Sequence, residues 1–492
     1  MKRLVLHKGI RLRFLLLSVP AVIFLAACQT NPATGRLQFN LVGLDQEVAM
    51  GREAHEQIGM TMGIYEDEAL ERYVAEIGQA MAATSELPDL PWTFKVVDDD
   101  TVNAFALPGG FIYFTRGILA HFNNEAEFAA VMGHEIGHVT ARHGTTRLSR
   151  MQIAQLGIGL AMVLEPELQQ LAPLAGIGMQ LLFLSYSRGH EHEADRLGVR
   201  YMTNLGYDPH AMIDVMETLR NVSEAAGAAR LPEWLATHPH PENRGEEILN
   251  HIEVEVEADE RAWQPTDRDG YLQHLDGMVY GPDPRQGYTR NGTFHHPELR
   301  FSLVFPQQWR VINQREAVIS LSPERDAAVQ LTISDQPSIE AAARELYGIE
   351  QIEGPGVQRT RINGLPAGVG DFTARSQQGV IHGTAAFIEH GGLVYQLLGY
   401  SGADVWSHHR QQVSSSIESF SRLTDRRSIE VEPLRVDITR VDRSMTLEQL
   451  YNDYYRTVGP VPLSEIALIN QIEPEARIAA GTLVKMVRGR LP

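Results

Sequence analysis

His134-Glu135-Ile136-Gly137-His138 lies in an apolar, helix-patterned segment that begins at Glu125-Ala126-Glu127-Phe128-Ala129-Ala130-Val131-Met132. On an α-helix, residues four apart stack on one face. His134 and His138 would therefore aim two imidazoles at one point and could share a zinc ion. Glu135 sits beside them and would reach a water on that ion. Two histidine ligands, a carboxylate base and an open coordination position are the parts of a zinc peptidase. The segment has a start signal, since Asn123-Asn124 offers an N-cap and Glu125 a first-turn acid. Gly137 would let another element approach the metal closely. The same five letters can sit on an amphipathic helix that carries its histidines for packing, so the reading turns on a third ligand.

Candidates lie about 50 residues on, in Ser187-Arg188-Gly189-His190-Glu191-His192-Glu193-Ala194-Asp195-Arg196-Leu197-Gly198. Four side chains in this run could ligate: His190, Glu191, His192 and Glu193. Glu191 and Asp195 are four apart and share a helix face. Glu191 could bind the metal while Asp195 accepts the spare N–H of a ligand histidine. His190 and His192 read more simply as solvated polar residues.

Together, the HEIGH and SRGHEHEADRLG stretches resemble the zinc metallopeptidase family of the CAAX prenyl proteases and HtpX, in its periplasmic BepA/LoiP-like lipoprotein branch. The likeness extends to Leu44–Arg52, to Asn103–Tyr113 and to Thr237-His238-Pro239-His240-Pro241-Glu242-Asn243-Arg244, and covers roughly residues 38 to 250. It implies one zinc ion per chain, held by His134, His138 and Glu191, with Asp195 in support and Glu135 as general base. It also implies a mainly helical, gluzincin-type peptidase fold. Asn103, Ala104, Phe105 and Ala106 would form a strand that pairs with extended substrate. His238 would lie near the metal, either as a resting ligand that displaces the water or as a donor to the oxyanion. Arg244 would be the oxyanion or structural partner.

The N-terminus addresses location. Lys2, Arg3, Lys8, Arg11 and Arg13 precede a short apolar run from Phe14 to Ala27, too short to span a bilayer stably. Leu25-Ala26-Ala27-Cys28 resembles a bacterial lipobox, which implies cleavage before Cys28 and a lipid on its thiol. Gln29 after the cysteine fits sorting to the outer membrane, on its periplasmic side. Cys28 is the only cysteine, so no intrachain disulfide is possible. Net charge is −19 over 492 residues. A surface this acidic argues against nucleic acid or an anionic lipid face as partner. A second apolar zone, Leu156 to Leu184, is interrupted by Glu165-Pro166-Glu167 and reads as a buried helical hairpin of the peptidase domain.

The chain is long for a single domain. The expected organisation is a signal peptide over 1–27, a zinc peptidase domain over 28–257 and a linker over 258–292. An α+β accessory domain follows over 293–425, with short alternating strands, a helix from Ser338 to Tyr347, a hairpin across Glu389–Gly392 and a helix from Ala403 to Ser419. Its pattern is similar to PsbP-like or Mog-like modules. Residues 430–492 run strand, helix, helix, strand and resemble a LysM module, a class that binds glycans such as peptidoglycan; the usual entry motif is replaced by Ser444-Met445-Thr446-Leu447. The expected fold is thus multidomain: a mainly α peptidase, an α+β domain and a small βααβ module. The expected activity is zinc-dependent endoproteolysis of unfolded or misassembled envelope proteins. The competing reading is an outer-membrane chaperone or scaffold with a silent metal site.

Overall fold

In the computed structural model the described residues are 28–150, 185–226, 234, 237–238, 244–256, 263, 267–376 and 379–492. The leader over 1–27 and the apolar zone Leu156–Leu184 lie outside them. No helix among the described residues is long and apolar enough to cross a membrane. The described residues form two compact units, one within 28–58, 64–278 and 436–486, the other within 59–63, 279–435 and 487–492.

The first unit is mainly helical around a small sheet. Its strand order is Thr93–Val97, Phe111–Thr115, Ala104–Leu107, parallel at the first pairing and antiparallel at the second. The central strand, Phe-Ile-Tyr-Phe-Thr, is apolar almost throughout because both its faces are buried. Ala104–Leu107 is the edge strand. The turn that joins it to the central strand needs glycine: Gly109 has φ +83, and a Cβ there would lie 2.6 Å from the Val48 Cα.

Helix Glu125–Thr140 runs through the middle of this unit, buried from Ala126 to its end. Asn124 caps it, accepting the Glu127 N–H at 2.9 Å. Helix Arg188–Asn204 packs directly on it, and glycines set the distance. A Cβ on Gly137 would lie 3.0 Å from the Ala194 carbonyl oxygen, and one on Gly198 2.9 Å from the His134 nitrogen. The close approach expected at Gly137 is therefore made by the helix that carries Glu191 and Asp195. The segment after Cys28 is stitched to the far end of the same central helix. Asn31 donates to the Ala141 carbonyl (3.2 Å) and Asn40 to the Thr145 hydroxyl (2.9 Å), while Arg142 reaches Glu47, Val42 and Gln29.

Two expectations about domain boundaries differ from the structure. Residues 267–292 were expected within an irregular linker. They contain helix Arg268–His274, capped by Asp267, and Tyr271, Leu272, Leu275 and Met278 are buried. These apolar residues are spaced for a helix face, and residues 267–278 belong to the first unit. Residues 430–492 were expected as a separate strand–helix–helix–strand module. Helices Leu447–Tyr455 and Leu463–Asn470 do lie between the paired strands Arg435–Arg440 and Leu483–Arg488, but a second pair, Met445–Thr446 with Arg477–Ile478, stands inside them. Residues 436–486 moreover belong to the first unit. The Lys485 ammonium, fully buried, donates to the carbonyls of Ala120 and Phe122 at 2.8 Å each, and Asn123 donates to the Ile469 carbonyl at 3.2 Å.

The second unit is built on an antiparallel eight-stranded sheet, flanked by a four-stranded one. Its longest strands are Leu365–Ser376, Gly379–His390 and Leu393–Gly402, the last two joined by a tight turn in which Gly391 and Gly392 have φ +61 and +83. Alternate residues serve opposite faces. Ala386, Ile388, Tyr395 and Leu397 pack with Val413 and Ile417 of helix Trp406–Glu418. Ala385, Phe387 and Val394 pack with Ile339, Ala342 and Leu346 of helix Ile339–Tyr347. The α+β expectation holds, with one helix on each face.

Candidate metal centre

His134 and His138 lie one turn apart with their Nε2 atoms 3.0 Å from each other. Glu191 reaches the same point from the first turn of its helix, its oxygens 3.7 Å from His134 Nε2 and 3.5 Å from His138 Nε2. His238 completes the group through Nδ1, 3.2 Å from His134 Nε2 and 3.3 Å from Glu191 Oε1. All four residues are buried, and their donor atoms fall within 4.8 Å of one another.

Orientation comes from a layer of partners behind these donors. Asp195 Oδ1 accepts from His134 Nδ1 at 2.9 Å, which turns the unprotonated Nε2 inward. Arg244 grips Asp195, Nε to Oδ2 and Nη2 to Oδ1, and places Nη1 3.0 Å from Glu191 Oε2. Tyr186 stacks on His138 with ring centroids 3.8 Å apart, and Trp234 stacks on His238 at 4.7 Å. Glu135 is fully buried, and neither oxygen has a hydrogen-bond partner among the described residues; His238 Nε2 lies 3.6 Å from Oε1.

The electrostatics follow from this packing. Burial pushes the Glu135 carboxyl up, against the pull of His238 and His134. Burial acts the same way on Glu191, but His238 and Arg244 overcome it and hold Glu191 well below the ordinary carboxylate range. Asp195 is also held down, to about 2, because Arg244 and His134 outweigh its desolvation. Burial takes His138 well below the usual imidazole range, which keeps it neutral and able to ligate.

This donor set fits zinc. Four donors about 2.0–2.1 Å from one tetrahedral ion stand roughly 3.3 Å apart, and the separations above run from 3.0 to 3.7 Å. The buried cluster of three histidines and one glutamate provides one zinc site per chain.

Each residue expected at the site can now be placed. His134, His138, Glu191 and His238 converge; Asp195 and Arg244 stand immediately behind them. Glu135 faces the cluster. His190 and His192 are not among the donors: His192 pairs with Glu247 at 2.7 Å, and His190 stacks on His143. Asn103 to Ala106 lie on the sheet edge that packs on the central helix, with the Asn103 Oδ1 buried and without a hydrogen-bond partner among the described residues. Trp234, Tyr186 and His143 were not anticipated. Their sequence contexts carry no spacing signal toward the metal.

Comparison with known proteins agrees with this geometry. Residues 68–252 match the model of Peptidase family M48. The chain is 32% identical over 218 residues to the Beta-barrel assembly-enhancing protease of Yersinia pestis, covering 42% of this chain and 44% of the relative. It is 34% identical over 196 residues to Mitochondrial metalloendopeptidase OMA1 of Arabidopsis thaliana, covering 40% and 38%. The chain thus spans less than half the length of either relative. A solved PsbP structure from Synechocystis overlaps 26% of this chain at 12% identity with a TM-score of 0.22, too slight a likeness to bear on the second unit.

Proposed function

We propose, from the match of residues 68–252 to the model of Peptidase family M48 together with the buried donor cluster, that the chain is a zinc-dependent endopeptidase of the bacterial cell envelope that removes misfolded or misassembled envelope proteins. The observation that carries the reading is the buried convergence of His134, His138, Glu191 and His238 beside a Glu135 whose oxygens have no hydrogen-bond partner among the described residues. A silent scaffold has no use for a buried carboxylate without hydrogen bonds at that point, since leaving it there costs stability. The name of the Yersinia relative supports β-barrel assembly as the setting. The apolar leader and lipobox-like sequence ending at Cys28 support a lipid anchor on the periplasmic side of the outer membrane. The LysM-like pattern of 430–492 supports contact with peptidoglycan.

Bound at this site, zinc would supply an acidified water and a Lewis acid for the scissile carbonyl. The residues of the chain do the rest. Glu135, whose burial raises its proton affinity, takes a proton from the attacking water and passes it to the leaving amine. Asp195 and Arg244 hold the ligands in place, which assigns Arg244 the structural role. Ala104–Leu107, an edge strand, offers backbone groups to an extended substrate. His238 Nδ1 stands where a fourth ligand would, so in this arrangement it restrains the resting enzyme.

The test is digestion of an unfolded protein such as casein by the purified chain, with chelator and with zinc restored. Cleavage that chelator abolishes and zinc restores supports the reading; tight binding of casein without cleavage under all three conditions supports the scaffold. Capture of client proteins by a Glu135→Gln form in cells would then name the substrates.

A further inference from the structure

We infer that His143 and Glu193 are positioning residues of the metal centre, linking the outer nitrogen of His138 to a carboxylate through an intervening imidazole. The inference rests on His138 as a ligand and goes beyond the roles assigned above. His138 Nδ1 lies 2.9 Å from His143 Nδ1, and His143 Nε2 lies 2.9 Å from Glu193 Oε2. His143 is buried, while Glu193 is partly open to solvent.

Proton placement on this chain has one solution. With Nε2 of His138 turned to the metal position, its only N–H is on Nδ1 and must donate outward. His143 Nδ1 then accepts, which puts the His143 proton on Nε2, where it donates to Glu193. Each donor meets one acceptor, and the chain ends on a negative charge. Both histidines of the HEIGH helix are thereby backed by a carboxylate. His134 has Asp195 directly; His138 has Glu193 through His143. Such backing fixes ring orientation and raises ligand basicity.

The backbone is built to make this contact. Five residues on, a continuing helix would carry His143 well away from the face of His138. The helix instead ends at Thr140 with Ala141 as its C-cap, and Arg142 adopts the left-handed conformation, φ +58, which folds His143 back beside His138. His190 stacks on the His143 ring, centroids 4.3 Å apart and planes within 12°. Helix Arg188–Asn204 thus supplies Glu191 to the metal position, Asp195 to His134 and Glu193 to His143. The carboxylates of the Glu191-His192-Glu193-Ala194-Asp195 run are all engaged, each with a different partner in the centre.

The test compares the parent with His143→Phe, which keeps a buried ring but removes both hydrogen bonds, with Glu193→Ala and with the double variant. Zinc affinity is measured by competition with a chromophoric chelator, and the visible spectrum of the cobalt(II)-substituted protein reports ligand geometry. Each single change should weaken zinc binding about 10- to 100-fold and shift the cobalt bands. The double variant should be no worse than His143→Phe alone, because both changes cut one chain. Affinity within twofold of the parent for Glu193→Ala, with an unshifted cobalt spectrum, overturns the proposal, as do losses that simply add. Should His143→Phe fail to fold, the partly exposed Glu193 carries the test by itself. A parent that binds no zinc, or a His138→Ala form that binds it as well as the parent, would instead refute the underlying metal site.

Discussion

The guanidinium of Arg244 holds both oxygens of Asp195, Nε–Oδ2 and Nη2–Oδ1 each at 2.7 Å, in a fully buried pair. Its third nitrogen faces Glu191 at 3.0 Å. One cation therefore ties the carboxylate behind His134 to the carboxylate aimed at the metal. Arg244→Met would leave two buried carboxylates short of countercharge. The expected cost is about 3–5 kcal/mol of stability, together with loss of bound zinc. Arg244→Lys should rescue little, since an ammonium cannot reproduce the two-pronged contact. Thermal unfolding of the chelator-treated variants measures the first effect and elemental analysis the second. A methionine variant as stable as the parent would show that the pair is not structural.

His238 Nδ1 lies 3.2 Å from His134 Nε2, inside the donor cluster. If it serves as a resting ligand, His238→Ala should raise proteolysis and self-cleavage at unchanged zinc content. An oxyanion donor would give the opposite sign, with turnover lower by roughly 10²- to 10³-fold. Comparing initial cleavage rates with zinc stoichiometry separates the two. Unchanged values of both would leave only a packing role beside Trp234.

Burial pulls the His121 imidazole down to about 4 from an ordinary 6.5. The unfolded chain therefore takes up a proton between pH 6.5 and 4 that the folded chain refuses. This contribution to stability is complete above pH 6.5 and declines as the pH falls through the window, by up to about 3 kcal/mol. His121→Gln should flatten the plot of unfolding free energy against pH by about one proton between those limits. Parallel plots for parent and variant would contradict the assignment.

Lys485 joins residues 436–486 to the C-terminal end of helix Arg116–His121, through the carbonyls of Ala120 and Phe122. Lys485→Met removes the buried amino group and orphans two buried acceptors. A loss of about 1–3 kcal/mol is expected, seen as a lower thermal midpoint for the whole peptidase unit. A separate, later transition for 436–486 would show that this segment folds independently.

These contacts mark what could and could not be read from the sequence. His134, Glu135 and His138 were legible because they lie within one helical turn, where periodicity fixes direction; Glu191 and Asp195 share a helix face by the same spacing, but the choice of Glu191 among four candidate ligands came from the family resemblance. The strands and helices of the second unit were legible from alternation and turn residues, as at Gly391-Gly392. His143 was not, since its approach to His138 depends on a single left-handed residue, Arg142, that helical spacing cannot anticipate. Lys485 reads as a solvated lysine, and only the fold supplies the carbonyls that bury it. Tyr271 and Leu272 sit among polar residues that suggest a linker until their partners are known.

The central claim is that His134, His138 and Glu191 hold one zinc ion on which Glu135 acts as base. The most direct measurement pairs zinc stoichiometry with casein cleavage for the parent and for Glu135→Gln. The account predicts one zinc per chain in both proteins, with turnover in the glutamine form lower by about 10²- to 10⁴-fold. Cleavage by Glu135→Gln at the parent rate, or full activity in a parent freed of zinc, would contradict it.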